Sequence, residues 1–517
     1  RGQVIDAATK KGVVGATVLI EGTTKGAISD DNGKFNFTAK EGEVINVSFI
    51  GMENKSYKIK ANDANLTLEL IPSAIAVDDV VVTGYQVMSR GRSASAITPI
   101  KAKDITKIGL SSIDQMLQGK IAGMMVMNTS GEPSATPKIR VRGNSTLSGN
   151  KAPVWVLDGV ILEQSVVFDV SNINSDDAAY LIGNAIAGIN PNDIETITVL
   201  KDASATAIYG VKAANGVIVV TTKKGAIGRP IISYNGGITF NTRPSYGNFD
   251  RMTATERMQL SKDIIEGGLE YARTPWGEFS YEGLYDKLSR KEINAQQFDE
   301  KVRDMQNRNT DWFKELFRNS VTHTHNMNLS GGTEKAKYYF SAGYDNNQGA
   351  AIKSNMTRFT ALGKVGVTLN KYVDFTAQIN YNKTDNIGYH STINPFNYAY
   401  KTTRTAPLYD ENGDYAYYNL SQGSKALSYN ILNEMNTTGQ SSCVEGFGSQ
   451  LALNVKLLNG LKYNGTFSYN TSNTSKRDWA TDHSKYISDL RGYDFDVYAE
   501  DSDDYKQSTL PYGGILG

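Results

Sequence analysis

The 517 residues exceed the usual size of one hydrophobic core, so two or more domains are expected. Lysine plus arginine and aspartate plus glutamate both number 54, a balance that gives no electrostatic case for a nucleic-acid partner. With 48 glycines, 29 tyrosines, 12 prolines and a mean hydropathy of −0.38, the composition points to glycine-turned, tyrosine-rich β structure and away from a helical enzyme. No long apolar run marks a membrane-spanning helix, but a β-barrel stays open because its signal is alternation within short segments. Cys443 is the one cysteine, which excludes an intrachain disulfide and a zinc–cysteine cluster. The chain starts on strand-like sequence without a signal peptide and reads as mature or trimmed.

Residues 1–71 read as a small β-sandwich. Val4-Ile5, the run 16–20, Lys34-Phe35-Asn36-Phe37 and the run 44–49 are strand-like, with Gly and Asn/Asp turns between them. Asp30-Asp31-Asn32-Gly33 lacks the ligand spacing of a calcium loop and reads as a tight turn. The pattern Gly2-Gln3-Val4-Ile5-Asp6, Val14-Gly15-Ala16-Thr17-Val18 and Asp31-Asn32-Gly33-Lys34-Phe35 resembles the carboxypeptidase-regulatory-like module, a non-catalytic accessory. Residues 72–95 form a linker, and within it Asp79-Val80-Val81-Val82-Thr83-Gly84-Tyr85 strongly prefers an extended backbone. On spacing alone this run is either an ordinary strand of a neighbouring domain or an unpaired strand that invites another protein's sheet edge.

Residues 96–225 read as mixed α/β. Ser112 caps a short helix carrying Ile113, Met116 and Leu117, which Gly119 ends. Strands are expected at 138–142, 154–157, 196–200 and 217–222. Asp158-Gly159 makes a turn, and Asp202 caps a small-residue helix over 203–209 that Gly210 closes. Ile139-Arg140-Val141-Arg142-Gly143, Val156-Leu157-Asp158-Gly159-Val160, Asn190-Pro191-Asn192-Asp193-Ile194-Glu195 and Val199-Leu200-Lys201-Asp202-Ala203-Ser204-Ala205 resemble, in order, the plug of SusC-type (SusC/RagA) TonB-dependent outer-membrane transporters. Ile208-Tyr209-Gly210 and Ala213-Ala214-Asn215-Gly216-Val217-Ile218 continue the match. The resemblance implies that residues 79–85 are the TonB box.

Residues 226–517 carry the pattern of a transmembrane barrel independently of that resemblance. In 373–382, Val373, Phe375, Ala377, Ile379 and Tyr381 alternate with Asp374, Thr376, Gln378, Asn380 and Asn382. Similar alternation places Phe359, Ala361, Val365, Val367 and Leu369 opposite Arg358, Thr360 and Lys364. Seven strands are expected, near 231–240, 322–330, 336–344, 357–369, 373–382, 449–457 and 461–469. Short connections at 331–335, 370–372 and 458–460 alternate with long ones at 242–320, 345–356 and 384–447. The fold class is thus mainly β, with a sandwich, an α/β plug and the N-terminal part of a large antiparallel barrel. Family barrels have about 22 strands, and an open sheet is not viable in lipid, so the sequence is expected to be part of a longer chain.

His323 and His325 share a face with Met327 and Leu329 and read as interfacial anchors without a third metal ligand. No phosphate-binding glycine loop, nucleophile elbow or cysteine nucleophile occurs, so neither enzyme activity nor a cofactor is expected. The helix-rich stretch 253–318 reads as structural. Tyr389, Tyr398 and Tyr400, in a tyrosine-rich loop, suit stacking on sugar rings or gripping peptides, or else loop packing, the barrel rim or contact with a partner. Asp169, Asn172, Asn174, Asp176, Asp177 and Tyr180, in a long plug insertion, either hydrogen-bond a ligand or pack the plug on the wall. The resemblance implies TonB-driven import by a protein in the outer membrane with a periplasmic N-terminal domain. Its implied partners are TonB with the ExbB/ExbD complex, membrane lipid and a SusD-like surface lipoprotein. Oligosaccharides come first as substrate and oligopeptides second; the rival class is a non-transporting adhesin or receptor.

Overall fold

The computed structural model describes the chain except residues 71–79, 83–86, 90–96, 106–111, 142–151, 163–185, 203–205, 270–278, 420–427 and 495–517 and isolated positions elsewhere. Residues 1–95 form one compact unit and residues 96–517 a second.

In the first unit, a three-stranded sheet joins Lys34–Phe35, Gly2–Asp6 and Leu66–Leu70, the last two in parallel. A four-stranded antiparallel sheet joins Gly26–Ile28, Thr17–Ile20, Val44–Ser48 and Lys55–Lys58. Val4, Val18, Ile45, Val47, Leu68 and Leu70 from both sheets share one core, so the two layers are a sandwich. The Asp30 carboxylate accepts from the backbone N–H groups of Asn32 and Lys34 and closes its own turn. Farther along, Val80–Val82 pairs antiparallel with Val87–Ser89, Val80 opposite Ser89 and Val82 opposite Val87.

The second unit begins with the plug. Its sheet runs in the order Ile97–Lys101, Ile194–Leu200, Val217–Thr222, Val154–Leu157 and Val160–Leu162, and only Val154–Leu157 against Val217–Thr222 is parallel. Val217–Thr222 lies in the middle and is buried throughout, as its unbroken β-branched sequence requires. Asp158 (φ 46°) and Gly159 (φ 90°) both take positive φ, as a tight two-residue hairpin turn demands. One element was not expected. Gly210 (φ 67°, ψ −155°) is non-helical and closes the first short helical piece, a second one follows as far as Asn215, and Gly216 (φ 94°) makes the exit.

Seven strands form the wall, labelled in chain order β1 (Gly228–Asn241), β2 (Ser320–Gly332), β3 (Ala336–Gln348), β4 (Asn355–Asn370), β5 (Val373–Gly388), β6 (Thr438–Leu458) and β7 (Leu461–Ala480). Each pairs antiparallel with the next, and among the described residues β1 and β7 pair on one side only. Several strands are longer than expected. The apolar/polar alternation marks only the part that crosses lipid, about 9–11 residues, whereas the backbone ladder continues into polar sequence. The connection expected over 345–356 therefore shrinks to 349–354.

The wall is inverted relative to a soluble sheet. On β3, Phe340, Ala342 and Tyr344 are exposed, whereas Tyr339, Ser341, Gly343 and Asp345 are buried. On β4, Phe359 is exposed between buried Arg358 and Thr360. Apolar side chains facing outward with polar ones facing in is the pattern of a barrel in lipid. No helix among the described residues is long and apolar enough to cross a membrane. At one end of the outer face, the Tyr234 hydroxyl lies 2.6 Å from His325 Nδ1, and His323 packs on Tyr344, an amphipathic cluster suited to an interface.

The long connections build a loop cluster. Helices α1 (Ala254–Glu266), α2 (Tyr281–Ser289) and α3 (Ala295–Arg308) share Met258, Tyr281, Leu284, Phe298 and Met305 as their core. Helices α4 (Trp312–Leu316), α5 (Pro395–Lys401) and α6 (Ile431–Thr437) share a second core with the turn 349–354. Asp311, in Asn309-Thr310-Asp311-Trp312, caps α4 by accepting from Lys314 N at 3.0 Å.

Candidate functional site: the plug–wall seam

The seam is built where polar inward residues of β3 and β4 meet plug turns. Asp158, aimed by its hairpin turn, accepts from Thr222 N (3.0 Å) and Thr222 Oγ1 (2.6 Å) and lies 3.2 Å from Lys364 Nζ of β4. Lys364 also donates to Thr222 Oγ1 at 2.8 Å, and Gln450 of β6 donates to the Asp158 carbonyl at 3.0 Å. The Asp158 and Lys364 side chains are only 8% and 7% exposed. Burial pushes the Asp158 carboxyl up, but the Lys364 ammonium and the two Thr222 hydrogen bonds more than offset this and hold it below its ordinary value.

A second set lies along the Asn190-Pro191-Asn192-Asp193 turn. Asn190 accepts from Asn192 N and donates to Thr360 Oγ1 of β4 at 3.2 Å. Tyr339 of β3 donates to Asp193 Oδ1 at 2.9 Å, and Asn235 of β1 donates to Asn192 Oδ1 at 3.0 Å. Burial raises the Asp193 carboxyl, and the Tyr339 hydrogen bond only partly offsets it. A third contact joins plug Glu132 to Tyr389 and Ser354 of the wall's long-loop end. The plug is thus held by buried, directional polar bonds. Each such bond is directional and weakens steeply when one partner is displaced.

Residues 1–82 match the family model of the CarboxypepD_reg-like domain, and residues 89–217 that of the TonB-dependent receptor plug domain. The TonB-dependent receptor SusC of Bacteroides thetaiotaomicron is 34% identical over 361 residues, 69% of this chain and 31% of that protein. The chain is similar in sequence to SusC-type TonB-dependent receptors and carries a match to their plug domain. A TonB-dependent receptor of Formosa agariphila is 29% identical over 409 residues, 78% of this chain and 36% of that protein. The chain therefore spans about a third of the length of the curated relatives it matches. Among solved structures, the RagAB peptide importer in its closed-closed state aligns with a TM-score of 0.57 at 23% identity, over 75% of this chain and 42% of that one. Its open-open state gives 0.58 over 78% and 43%. At that identity the likeness is one of fold.

The residues singled out from sequence divide into three groups. Val80, Val81 and Val82 form a described strand, whereas Asp79, Thr83, Gly84 and Tyr85 lie outside the described residues. Asp169, Asn172, Asn174, Asp176, Asp177 and Tyr180 also lie outside them. Tyr389, Tyr398 and Tyr400 come together in the loop cluster. Tyr389 is buried and bonded to Glu132, Tyr398 packs edge-on to Trp312, and Tyr400 stacks with Phe396 under the Arg251 guanidinium. These contacts use the rings for loop packing.

The seam residues Lys364, Asp193 and Glu132 were not singled out as site residues. Lys364 carried a signal: a cation on the inward face of an alternating strand needs a partner. Gly343 shapes the seam by its smallness, since a Cβ there would sit 2.1 Å from Asn190 Nδ2 and 2.6 Å from Thr360 Oγ1. Gly343→Ala is expected to break the Asn190–Thr360 bond and raise hydrogen exchange at Ile194–Leu200 about tenfold, as for loss of one buried hydrogen bond. Unchanged exchange would mean the seam yields without cost.

Proposed function

We propose that the protein is an outer-membrane importer for a large nutrient, driven through TonB with its ExbB/ExbD complex. A ligand enters the polar interior of the wall, the plug shifts, and a TonB strand pairs with Val80–Val82 in the periplasm and pulls. Transport involves no covalent change. The observation that carries this reading is the seam: an inverted wall holds its plug by breakable polar bonds such as Asp158–Lys364. Val80–Val82 supports the second half, because three valines offer backbone pairing and no side-chain chemistry for a substrate. With each backbone hydrogen bond worth about 0.5–1.5 kcal/mol net, a strand this short binds reversibly, as a handle should.

The substrate class is an oligosaccharide, working with a SusD-like surface lipoprotein as lid. Oligopeptides are the second reading, favoured by the RagAB structures, whose subject is a peptide importer. The test is Val81→Pro in the full-length protein, since proline removes the ladder N–H and is excluded from a central strand. Uptake of labelled oligosaccharides and of labelled oligopeptides would be measured beside surface binding. Binding is expected to persist and uptake to stop. Uptake at the wild-type rate would sink the TonB reading, and binding without uptake by the wild type itself would favour an adhesin.

A further inference from the structure

Glu132 stands apart from the rest of the seam because it joins the plug to the loop cluster and not to the inward face of the wall. It lies in the connection between the paired plug strands Met125–Met127 and Lys138–Arg140, where its carbonyl accepts from Ala135 N at 3.1 Å. Its two carboxylate oxygens take different donors. Oε1 accepts from the Tyr389 hydroxyl and Oε2 from the Ser354 hydroxyl.

Tyr389 immediately follows β5 and Ser354 immediately precedes β4, so one carboxylate ties together the ends of two paired strands. Both donors continue into the loop cluster. The Tyr389 ring belongs to the core of Trp312, Phe313, Ile393 and Met435, and the Ser354 turn contributes Ala350, Ala351 and Ile352 to it. Arg318 fixes that turn by donating to Ser354 O at 3.0 Å and to Gly349 O at 3.3 Å. Gly349 leaves room for the serine, since a Cβ there would sit 2.5 Å from Ser354 Oγ. A carboxylate offers acceptors at both oxygens, which matches two hydroxyl donors; an amide offers only one acceptor oxygen.

We propose that Glu132 is the positioning residue that couples the loop cluster to the plug. A shift of the cluster moves Tyr389 and Ser354 together, and their shared carboxylate carries the displacement to Met125–Met127 and Lys138–Arg140. Its role in import rests on the transport reading above, whereas the coupling itself does not.

The test is hydrogen exchange of the purified full-length protein in detergent, without ligand, so failure of the transport reading leaves its outcome untouched. Tyr389→Phe and Ser354→Ala each remove one hydroxyl. Each is expected to raise exchange at Met125–Met127 and Lys138–Arg140 by about tenfold or more, as for a lost hydrogen bond to a charged group. Because coupling is reciprocal, Glu132→Gln is expected to raise exchange in Pro395–Lys401 of the cluster. Exchange at Val217–Thr222 and in the β4–β5 ladder should stay at wild-type values, which separates coupling from general loosening. The proposal is overturned if each substitution alters exchange only on its own side, if none alters it, or if the ladder loosens equally.

Discussion

Lys364→Met is expected to weaken plug docking by about 3–5 kcal/mol, because it leaves the buried Asp158 carboxylate without its cation. Thr222 would still donate two hydrogen bonds, but no charge would compensate the buried carboxylate. The readout is hydrogen exchange at Val217–Thr222, the central plug strand beside the pair. Adding Asp158→Asn to Lys364→Met should recover much of the loss, since a neutral amide beside methionine buries no charge. A double variant as loose as the single one would show that the pair's geometry, not its charge balance, secures the plug.

The same pair sets a pH profile. The Asp158 carboxyl is held below its ordinary value in the folded protein, so its contribution is complete above the unfolded value of about 3.9 and fades as pH falls through the lower, folded one. Asp193 acts in the opposite sense, because burial raises its carboxyl and protonation relieves that cost. The difference in exchange between wild type and the double variant isolates the Asp158–Lys364 pair, whose acid limb is that of Asp158. It should be flat through neutrality and decline only below about pH 4. A decline starting near neutrality would rule out this carboxylate as its source.

Trp312→Ala is the second large effect, at about 3–5 kcal/mol, the usual cost of emptying a fully buried tryptophan site. Trp312 is 0% exposed, meets Tyr398 edge-on and donates its indole N–H to Thr403 O at 3.0 Å. Truncation leaves that carbonyl without its donor and opens a cavity among α4, α5 and α6. Exchange is expected to rise through Pro395–Lys401 and Ile431–Thr437, while β3–β5 keep their protection. Equal loosening of the wall strands would show that cluster and sheet unfold as one unit.

Most of the architecture was legible because membrane and core impose simple periods. The strict alternation around Phe375 and Ile379 announced a lipid-facing wall, and Val217-Ile218-Val219-Val220 announced a strand, whose burial throughout only the structure showed. Strand ends were less legible, because beyond the bilayer no apolar face is needed and the ladder runs on in polar sequence. Gly210 was legible, since its positive φ ends the first helical piece, but the second piece up to Asn215 carried no local signal.

Sequence alone determined the sandwich, the plug motifs, the wall's inward and outward faces, and the extended backbone of Val80–Val82. These follow from backbone preference and hydrophobic period, which are local properties. Only the tertiary structure decided that the Asp158 turn meets Lys364, that Tyr389 serves Glu132, and that Trp312 organises the loops. Asp158 and Lys364 stand more than two hundred positions apart in sequence, and no local period links them. Their pairing arises because a buried charge is tolerable only beside its opposite, and which opposite it meets depends on how the chain has closed.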